Sequence, residues 1–341
     1  MSSFRRLLLV FSSKCGDHSH VGMRGLPNEH LSCCANTLLQ TLSATWELAD
    51  LLEKWEPAGV QSEGGNVPLQ LKRLLASMRS DDPQPASNRD FLRCLHRNRI
   101  QLSVQHDADE VFLSILNFMQ QQMDNKALAD EIQNLYRISV ETQLQCLYCT
   151  SIQTHGSFLL SLPLHIKEDH NSLEGCMKSF FEQQELKDMN SCYCTKCECK
   201  TPSKQGVKLL SLPPILSIQL KRYRNMRGST RKLDCKVTFP ESFNFSEMVP
   251  EAFSAGFAQD DCRYTLYAVV VHAGYAAFGH YTAYVHNAVK NCWYYADDCS
   301  VQPTSWEKVR KTYGGRDGGT AYMLMYRRGS REDRQQPDFS G

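Results

Sequence analysis

The sequence has no excess of charge of either sign and no long apolar run. It contains 38 Lys and Arg residues against 37 Asp and Glu residues, so the formal charge at pH 7 is only +1. A chain without a global positive field has no general attraction for nucleic acid or for an acidic membrane surface. No segment approaches the ~20 apolar residues that a membrane span requires. We therefore expect partners recognised by shape and local contacts, and neither nucleic acid nor a membrane among them.

The chain also lacks internal repeats and a recognisable export signal. The apolar segment 7–11 is shorter than the roughly 7–15 residues that form the core of a secretory signal. Residues 1–22 and 329–341 have the composition of tails. The 341 residues exceed the ~150 typical of one domain, so one large folded unit or two smaller ones are expected. We predict a folded region at 23–328 between an N-terminal and a C-terminal tail.

Cysteine, in contrast, is abundant, with fifteen residues. In a short secreted chain this content would indicate a disulfide framework. The odd number and the Cys-x-x-Cys spacings favour a reduced compartment and a metal site instead. We therefore predict a cytoplasmic protein, with the nucleus as an alternative location.

The hydrophobic pattern changes along the chain from helical to β-rich. Apolar residues recur at helical spacing over 34–55 and 107–123, with Asp107 as a candidate cap of the second helix. The first 135 or so residues are therefore expected to be mainly helical. Short β-rich runs follow at 138–147, 158–164, 215–223, 264–272, 280–286 and 293–295. Strands that follow helices in this way indicate an α+β fold.

The start of the first predicted helix is a candidate site for a nucleophile. Residues 32–36 read Ser-Cys-Cys-Ala-Asn, which puts Cys33 at the helix N-terminus. Unpaired backbone N–H groups and the helix dipole stabilise a thiolate at such a position. Asn28, five residues earlier, can direct its side-chain amide at a developing oxyanion. The alternative is that Cys33 and Cys34 are ordinary buried cysteines, so the hypothesis requires a base elsewhere in the chain.

A histidine and an acid on neighbouring strands supply a candidate base. The last two β-rich runs flank a turn at 287–291, so we expect an antiparallel hairpin with His280 roughly opposite Asp297. An acid beside a histidine fixes its tautomer and supports the imidazolium that forms when the ring deprotonates a thiol. Asp298 is the competing acid and His272 the competing base. A single histidine at the start of a strand is more often structural, and its pairing with an acid is what favours catalysis.

Two Cys-x-x-Cys pairs predict a metal site. Four thiolates form the tetrahedral ligand set of a structural zinc. Such a site has no open position for water, which argues against a zinc-dependent hydrolase. Cys192 and Cys199 flank the second pair and are alternative ligands, and a redox pair or buried thiols are the other interpretation. The predicted ligands are Cys146, Cys149, Cys194 and Cys197.

Together these segments resemble the ubiquitin-specific protease family. The resemblance spans roughly residues 23–328, in the family's order of motifs. Its first motif is Gly-Leu-x-Asn followed by the cysteine, Asn36 and Gln40. The further matching segments are Gln105-His106-Asp107-Ala108-Asp109-Glu110, the two cysteine pairs, Leu212-Pro213-Pro214, Leu220-Lys221-Arg222-Tyr223, Phe239-Pro240, Gly279-His280-Tyr281, Trp293-Tyr294-Tyr295-Ala296-Asp297-Asp298 and Ala321-Tyr322.

The resemblance implies a papain-like hand and an isopeptidase activity. The expected parts are a helical thumb at about 23–137, zinc-bearing β fingers at about 138–210 with returning strands, and a β-rich palm at about 211–328. It also implies Cys33 as nucleophile, His280 as base, Asp297 as its orienter and Asn28 as oxyanion donor. Asp298 stays in the candidate catalytic set as the alternative acid. Structural zinc is the expected cofactor, and no organic cofactor is expected.

Within the family, the residues resemble most the members that remove the interferon-induced tandem ubiquitin-like modifier. The carriers include Cys33-Cys34, Asn287-Ala288-Val289 and Ser305-Trp306-Glu307. The expected partners are this modifier and its protein conjugates, with weaker action on ubiquitin. Acids in the exposed first turn of helix 107–123, Asp109 and Glu110, could meet basic residues before a modifier's Gly-Gly end, although acids there commonly serve the helix dipole. A general deubiquitinase and a non-catalytic scaffold that binds a modifier or signalling protein are the alternative functions.

Overall fold

The computed structural model describes residues 23–29, 31–58, 63–80, 82–101, 104–226, 228–257, 261–276, 278–315 and 318–329. The predicted tails lie outside these residues, apart from Gly329. The described chain divides into two compact units. The first contains the residues up to Leu135, Arg222–Asp234 and Tyr267–Met325, and the second contains Tyr136–Lys221, Cys235–Leu266 and the residues from Tyr326 onward.

Helices dominate the described chain before residue 137, and strands dominate it afterwards. The helices are α1 Cys33–Ser43, α2 Trp46–Glu53, α3 Val67–Met78, α4 Arg89–Arg97, α5 Ala108–Gln122, α6 Lys126–Tyr136, α7 Leu173–Phe181, α8 Phe245–Met248 and α9 Trp306–Arg310. The strands are β1 Ile138–Cys146, β2 Ile152–Leu159, β3 Leu162–His165, β4 Asn171–Ser172, β5 Gln184–Leu186, β6 Cys192–Cys194, β7 Cys199–Thr201, β8 Ser203–Ser211, β9 Ile215–Lys221, β10 Tyr223–Met226, β11 Ser229–Lys232, β12 Val237–Thr238, β13 Ser242–Asn244, β14 Arg263–Tyr275, β15 Phe278–Asn287, β16 Cys292–Asp297, β17 Ser300–Thr304 and β18 Thr320–Arg328. This order confirms the predicted α+β class.

The helix predicted over 34–55 is in fact two helices, α1 and α2, and this prediction was wrong. The chain leaves the helical conformation at Thr45, where ψ is 81°. The Thr45 hydroxyl lies 2.7 Å from the Tyr267 hydroxyl and donates to the Thr41 carbonyl at 2.9 Å. A hydroxyl that bonds locally competes with the helical pattern, and the tertiary partner Tyr267 is far away in the sequence.

The second predicted helix agrees with the structure. It is α5, and its cap is Asp107, whose carboxylate accepts from the backbone N–H groups of Asp109 at 2.9 Å and Glu110 at 3.2 Å. A side-chain acceptor at this position satisfies backbone donors that have no partner inside the helix. The apolar face of α5, including Phe112, is buried in the first unit.

The first unit completes its core with an antiparallel sheet. Its strand order is β17-β16-β15-β14, with β18 next to β14. The strand β14 pairs with β15 up to Tyr275↔Phe278, so the two form a tight hairpin, and β15 continues into the hairpin with β16. Helix α1 packs against β15. The sheet thereby holds the β15 and β16 side chains next to the start of α1.

The second unit carries a separate four-stranded sheet of order β2-β1-β8-β5 and a small β6-β7 ribbon. It also contains the parallel pairs β3/β9 and β4/β12. The predicted run 158–164 is not one strand, because the chain bends at Leu160 and Ser161 between β2 and β3. Among the described residues, no helix has both the length and the apolar character needed to cross a membrane.

Candidate active site and metal site

Cys33 is the first residue of α1 and is nearly buried, with 6% of its surface exposed. We call the segment before it, residues 25–29, 31 and 32, the nucleophile loop. Asn28 in this loop accepts from the Ser32 backbone N–H at 3.0 Å. At the helix N-terminus the unpaired N–H groups and the dipole favour a negative charge on the Cys33 sulfur. This is the location that the sequence predicted for a reactive thiol.

His280 lies in β15 and connects this thiol to an acid. Its Nε2 atom is 2.6 Å from Asp297 Oδ1, and the ring also hydrogen bonds to the Cys33 side chain. Because Nε2 is engaged by Asp297, Nδ1 is the ring nitrogen that remains for the thiol. The three side chains therefore form the series thiol, imidazole and carboxylate that a cysteine hydrolase requires.

The environment of His280 favours its charged form. Burial is the largest effect and lowers the pKa of the ring, but hydrogen bonds to Asp297 and to Cys33, and the negative charges of both groups, outweigh burial and raise the pKa to about 10. The ring is then an imidazolium at neutral pH. A positive charge at this point stabilises a Cys33 thiolate.

The β15/β16 register differs from the expected one. The last regular pair before the site is Ala283↔Ala296. Continuing this register would put Thr282 opposite Asp297, so His280 lies two residues nearer the start of β15. The start of β15 instead pairs with β14, where His280 is opposite Ala273. The contact between His280 and Asp297 is therefore diagonal, which the length of both side chains allows.

Asp298, the competing acid, faces the nucleophile loop. Its Oδ2 accepts from Asn28 Nδ2 at 2.7 Å and its Oδ1 accepts from Asn36 Nδ2 at 2.8 Å. Its backbone carbonyl accepts from the Leu26 N–H at 2.9 Å. Burial raises the pKa of this carboxyl although the two amides lower it. Asp297 and Asp298 are adjacent, yet Asp297 contacts the histidine and Asp298 contacts the nucleophile loop and Asn36.

His272, the competing base, is fully buried and held neutral. Burial, together with the charges of Lys232 and His280, lowers its pKa to about 3. Its Nε2 is 3.1 Å from Gln105 Nε2, whose amide oxygen accepts from the Gly279 N–H at 2.8 Å. The Gln105 nitrogen must therefore donate, and the His272 Nε2 accepts. A Cβ at Gly279 would lie 2.2 Å from this nitrogen, so glycine is required there.

The four predicted metal ligands lie together in the second unit. Their sulfur atoms are all within 4.8 Å of one another. The Cys149–Cys194 sulfur distance is 3.5 Å and the Cys146–Cys197 distance is 3.9 Å. A tetrahedron with Zn–S bonds of about 2.3 Å has S–S edges of about 3.8 Å. The group can therefore hold a tetrahedral metal ion with little movement.

Neighbouring hydroxyls orient these thiols. The Thr201 hydroxyl is 3.2 Å from the Cys146 sulfur, and the Ser151 hydroxyl is 3.0 Å from the Cys149 sulfur. The Thr201 contact and a backbone N–H of Cys149 lower the pKa of Cys146 to about 6. Outer partners of this kind fix metal ligands and favour the thiolate. Cys192 and Cys199 are opposite Thr201 and Cys194 in the β6-β7 ribbon, outside the four-thiol group.

A model of the ubiquitin carboxyl-terminal hydrolase family matches residues 24–326. The chain belongs to this family. It is 32% identical over 320 residues to the Ubl carboxyl-terminal hydrolase 18 of Homo sapiens, an alignment that covers 91% of this chain and 86% of that protein. For the Mus musculus protein of the same name the identity is 34% over 315 residues, covering 89% and 85%. The Ubiquitin carboxyl-terminal hydrolase 47 of Xenopus tropicalis is 26% identical over 379 residues, which cover 91% of this chain but 28% of that protein.

A solved structure supports the fold of this ubiquitin carboxyl-terminal hydrolase. The match is to a chain in the structure of the SAGA Ubp8/Sgf11/Sus1/Sgf73 DUB module bound to ubiquitin aldehyde, with a TM-score of 0.76 and 24% identity over 91% of this chain and 70% of that chain. The predicted papain-like α+β hand is confirmed. The family model and the relatives identify the protein as a cysteine protease of the ubiquitin-like isopeptidase class.

Two features of the site were not predicted from the sequence. Asp109 was expected to be exposed in the first turn of α5, but it is 5% exposed, because it lies three residues before Phe112 on the buried face of the helix. Glu110 is exposed as expected. Asn88 and its contact with Asn36 were also missed, because an asparagine before a helix reads as an ordinary cap.

Proposed function

We propose that the protein is a thiol isopeptidase that cleaves after the C-terminal Gly-Gly of a ubiquitin-like modifier conjugated to proteins. The observation that carries the proposal is the His280 ring, which hydrogen bonds to both Asp297 and Cys33 at the start of α1. Membership of the ubiquitin carboxyl-terminal hydrolase family supports the substrate class. In this proposal Cys33 is the nucleophile, His280 the base and Asp297 its orienter.

The reaction proceeds in two steps. In the resting pair the Cys33 proton is held by His280 as the imidazolium, and the Cys33 thiolate attacks the carbonyl carbon of the modifier's last glycine. The imidazolium then donates the proton to the departing lysine amine, which leaves a thioester between Cys33 and the modifier. Water, deprotonated by His280, hydrolyses the thioester and releases the modifier's carboxylate.

The nucleophile loop supplies the oxyanion donors. An asparagine amide has two N–H donors, and the Asn28 bond to Asp298 uses one of them. The other is available to the oxygen that becomes negative when Cys33 attacks. The Cys33 backbone N–H is the second donor, as expected for the first residue of a helix.

A non-catalytic scaffold is the less suitable function for this site. A surface that only binds a modifier does not need a histidine that bridges a thiol and a carboxylate. It also does not need the pKa of that histidine raised to about 10. Perturbed titratable groups of this kind are concentrated at catalytic sites. The conjunction of Asn28, Cys33, His280 and Asp297 therefore favours catalysis.

We further propose the interferon-induced tandem modifier as the preferred substrate, with weaker action on ubiquitin. The support is the similarity to the two Ubl carboxyl-terminal hydrolase 18 proteins, which extends over at least 85% of their length. The alternative, a general deubiquitinase, rests on the 26% identity to Ubiquitin carboxyl-terminal hydrolase 47. Burial of Asp109 leaves Glu110 as the exposed acid of the α5 first turn for a basic modifier tail.

Matched fluorogenic conjugates of ubiquitin and of the tandem modifier test the preference. We expect a higher kcat/KM on the tandem modifier, because the family similarity favours it. The Cys33→Ala variant is the control for non-enzymatic release. A clear preference for ubiquitin would contradict the modifier assignment and leave the isopeptidase function intact.

We propose structural zinc for the four-thiol group and assign no organic cofactor. The ligands are Cys146, Cys149, Cys194 and Cys197, which fill a tetrahedron and leave no position for a reacting water. The ion would join the β1–β2 turn to the β6-β7 ribbon and so stabilise the predicted fingers, one of the three proposed parts beside the thumb and the palm. Thirteen of the described cysteines form no disulfide, which supports a reduced location such as the cytoplasm.

Replacing Cys149 by Ser is expected to remove the metal and destabilise the protein together. The free energy of binding a structural metal contributes directly to folding, so loss of a thiolate ligand lowers both the metal affinity and the stability of the fold. Metal content, measured after dialysis, should fall from about one ion per chain to well below half of that, with a lower Tm. Cys199→Ser is the matched control and should keep the ion. The reverse pattern would make Cys199 the ligand.

A further inference from the structure

Asn88 immediately precedes α4 but does not cap it. It stands at the N-cap position with φ −94° and ψ 1°, and no side-chain hydrogen bond closes the helix end. The residue is 1% exposed. Its Nδ2 donates instead to the Pro27 carbonyl at 2.8 Å and to Asn36 Oδ1 at 2.6 Å. An asparagine at the start of a helix normally uses its oxygen as the cap, so this side chain has a different role.

The donors and acceptors of this cluster fix the orientation of every amide in it. An ionised Asp298 carboxylate only accepts hydrogen bonds, so Asn28 and Asn36 must both direct their nitrogen atoms at it. The Asn36 oxygen then faces Asn88 and requires a donor. The Pro27 carbonyl, the second partner of Asn88, also only accepts. Asn88 must therefore present its NH2 group, and only an amide of this shape satisfies both partners.

We propose that Asn88 is a positioning residue for the oxyanion donor. It holds the Asn36 amide and the Pro27 carbonyl, Asn36 holds Asp298, and Asp298 holds the Asn28 amide beside Cys33. The inference deepens the proposed isopeptidase function, because it takes Asn28 as an oxyanion donor. Asn88 touches neither the substrate nor a reacting atom, and it acts through the nucleophile loop.

The decisive variant is Asn88→Asp. It keeps the size and shape of the side chain and is as good a helix cap as asparagine, so α4 retains or improves its start. It removes the two N–H donors and directs a carboxylate oxygen at two acceptors. The Asn36 amide can relieve this contact only by rotating, and rotation removes its donor from Asp298. The Asn28 amide then loses its fixed orientation.

Asn98→Asp is the matched control at the other end of the same helix. Asn98 Nδ2 also donates to two carbonyls, those of Gly65 at 2.9 Å and Cys94 at 2.8 Å. The substitution removes equivalent bonds and destabilises the same helix without a link to the nucleophile loop. An effect specific to Asn88 is thereby separated from a general loss of stability.

Turnover and alkylation are compared in the full-length protein, at a temperature where both variants are folded. We expect Asn88→Asp to lower kcat by at least ~10-fold, part of the 10²–10³ that a lost oxyanion donor costs, with KM little changed. Alkylation of Cys33 by iodoacetamide develops no oxyanion, so its rate in Asn88→Asp should stay within about two-fold of the rate in the unsubstituted protein. Asn98→Asp should keep both rates. An unchanged kcat in Asn88→Asp, or a parallel fall of kcat and alkylation, would overturn the inference.

Hydrogen exchange separates failure of this inference from failure of the proposed function. The Ser32 N–H bonds to Asn28 and the Leu26 N–H bonds to the Asp298 carbonyl. Both amides should exchange faster in Asn88→Asp than in the unsubstituted protein. In Asn98→Asp their exchange rates should be unchanged. If the unsubstituted protein cleaves no modifier conjugate, the proposed function fails, and the exchange result still decides whether Asn88 holds the loop. Equal exchange in both variants rejects the positioning role even where activity is present.

Discussion

Cys33→Ala is expected to abolish cleavage of modifier conjugates, whereas Cys34→Ala keeps most of it. Cys33 begins α1 and hydrogen bonds to His280. Burial raises the pKa of Cys34 well above its ordinary value, and the negative charges of Cys33 and Asp107 raise it further. Cys34 is therefore a thiol at neutral pH and cannot replace its neighbour. Loss of a nucleophile costs on the order of 10⁶ in kcat.

Initial rates on a fluorogenic modifier conjugate measure this difference, with Tm of each variant as a check on folding. Cys34 is 5% exposed and lines a small cavity with Leu95 and Val111. Its truncation to Ala is therefore expected to lower stability more than activity. Activity retained by Cys33→Ala and lost by Cys34→Ala would mean that the nucleophile is the second cysteine.

Asp297→Asn is expected to lower kcat by roughly 10⁴-fold, the cost of losing the acid that orients a catalytic histidine. The Asp297 carboxylate accepts from His280 Nε2 at 2.6 Å and stabilises the imidazolium. An amide in its place cannot stabilise that charge and can select the wrong tautomer. Asp298→Asn is the matched control, because its carboxylate bonds to Asn28 and Asn36. It should lower kcat less, through the nucleophile loop.

The pH dependence distinguishes the two acids. The pKa of His280 is raised from 6.5 to about 10, partly by Asp297, so loss of Asp297 lowers it. The alkaline limb of kcat/KM, where the imidazolium deprotonates, should therefore move to lower pH in Asp297→Asn and move much less in Asp298→Asn. An alkaline limb that moves only in Asp298→Asn would make Asp298 the orienter.

The same pKa makes a prediction for stability. A group whose pKa is raised on folding stabilises the protein fully below its unfolded value, near 6.5, and this contribution declines as pH rises and is lost above about 10. Asp297→Asn weakens the upward shift of the His280 pKa. The loss in free energy of unfolding relative to the unsubstituted protein should therefore be largest below pH 6.5 and smallest above about pH 10. Urea unfolding across this pH range measures the difference.

Local patterns were sufficient to predict the features that depend on neighbouring residues. The position of Cys33 at a helix start and the cap Asp107 depend on neighbouring residues, and both are where the sequence puts them. The spacing of the two cysteine pairs likewise predicted the four-thiol group. These features could be predicted because the physics that produces them acts over a few residues.

Features that depend on distant partners could not be predicted in this way. Thr45 ends α1 through its bond to Tyr267, and Asp109 is buried by packing that its own helix does not specify. The role of Asn88 depends on Asn36, 52 residues away in the sequence. A single sequence contains no signal for such contacts, because many partners would satisfy the same side chain.

Peptide mapping after reaction with a modifier that carries a C-terminal electrophile tests the central claim most directly. The probe places a reactive carbon where the scissile carbonyl of the last glycine would be, so it labels only a nucleophile aligned with that tail. We predict one adduct per chain, located on Cys33, which disappears in Cys33→Ala and persists in Cys34→Ala. No adduct with either the ubiquitin or the tandem-modifier probe, or an adduct on another cysteine, would contradict the assignment of this protein as a Cys33-dependent isopeptidase.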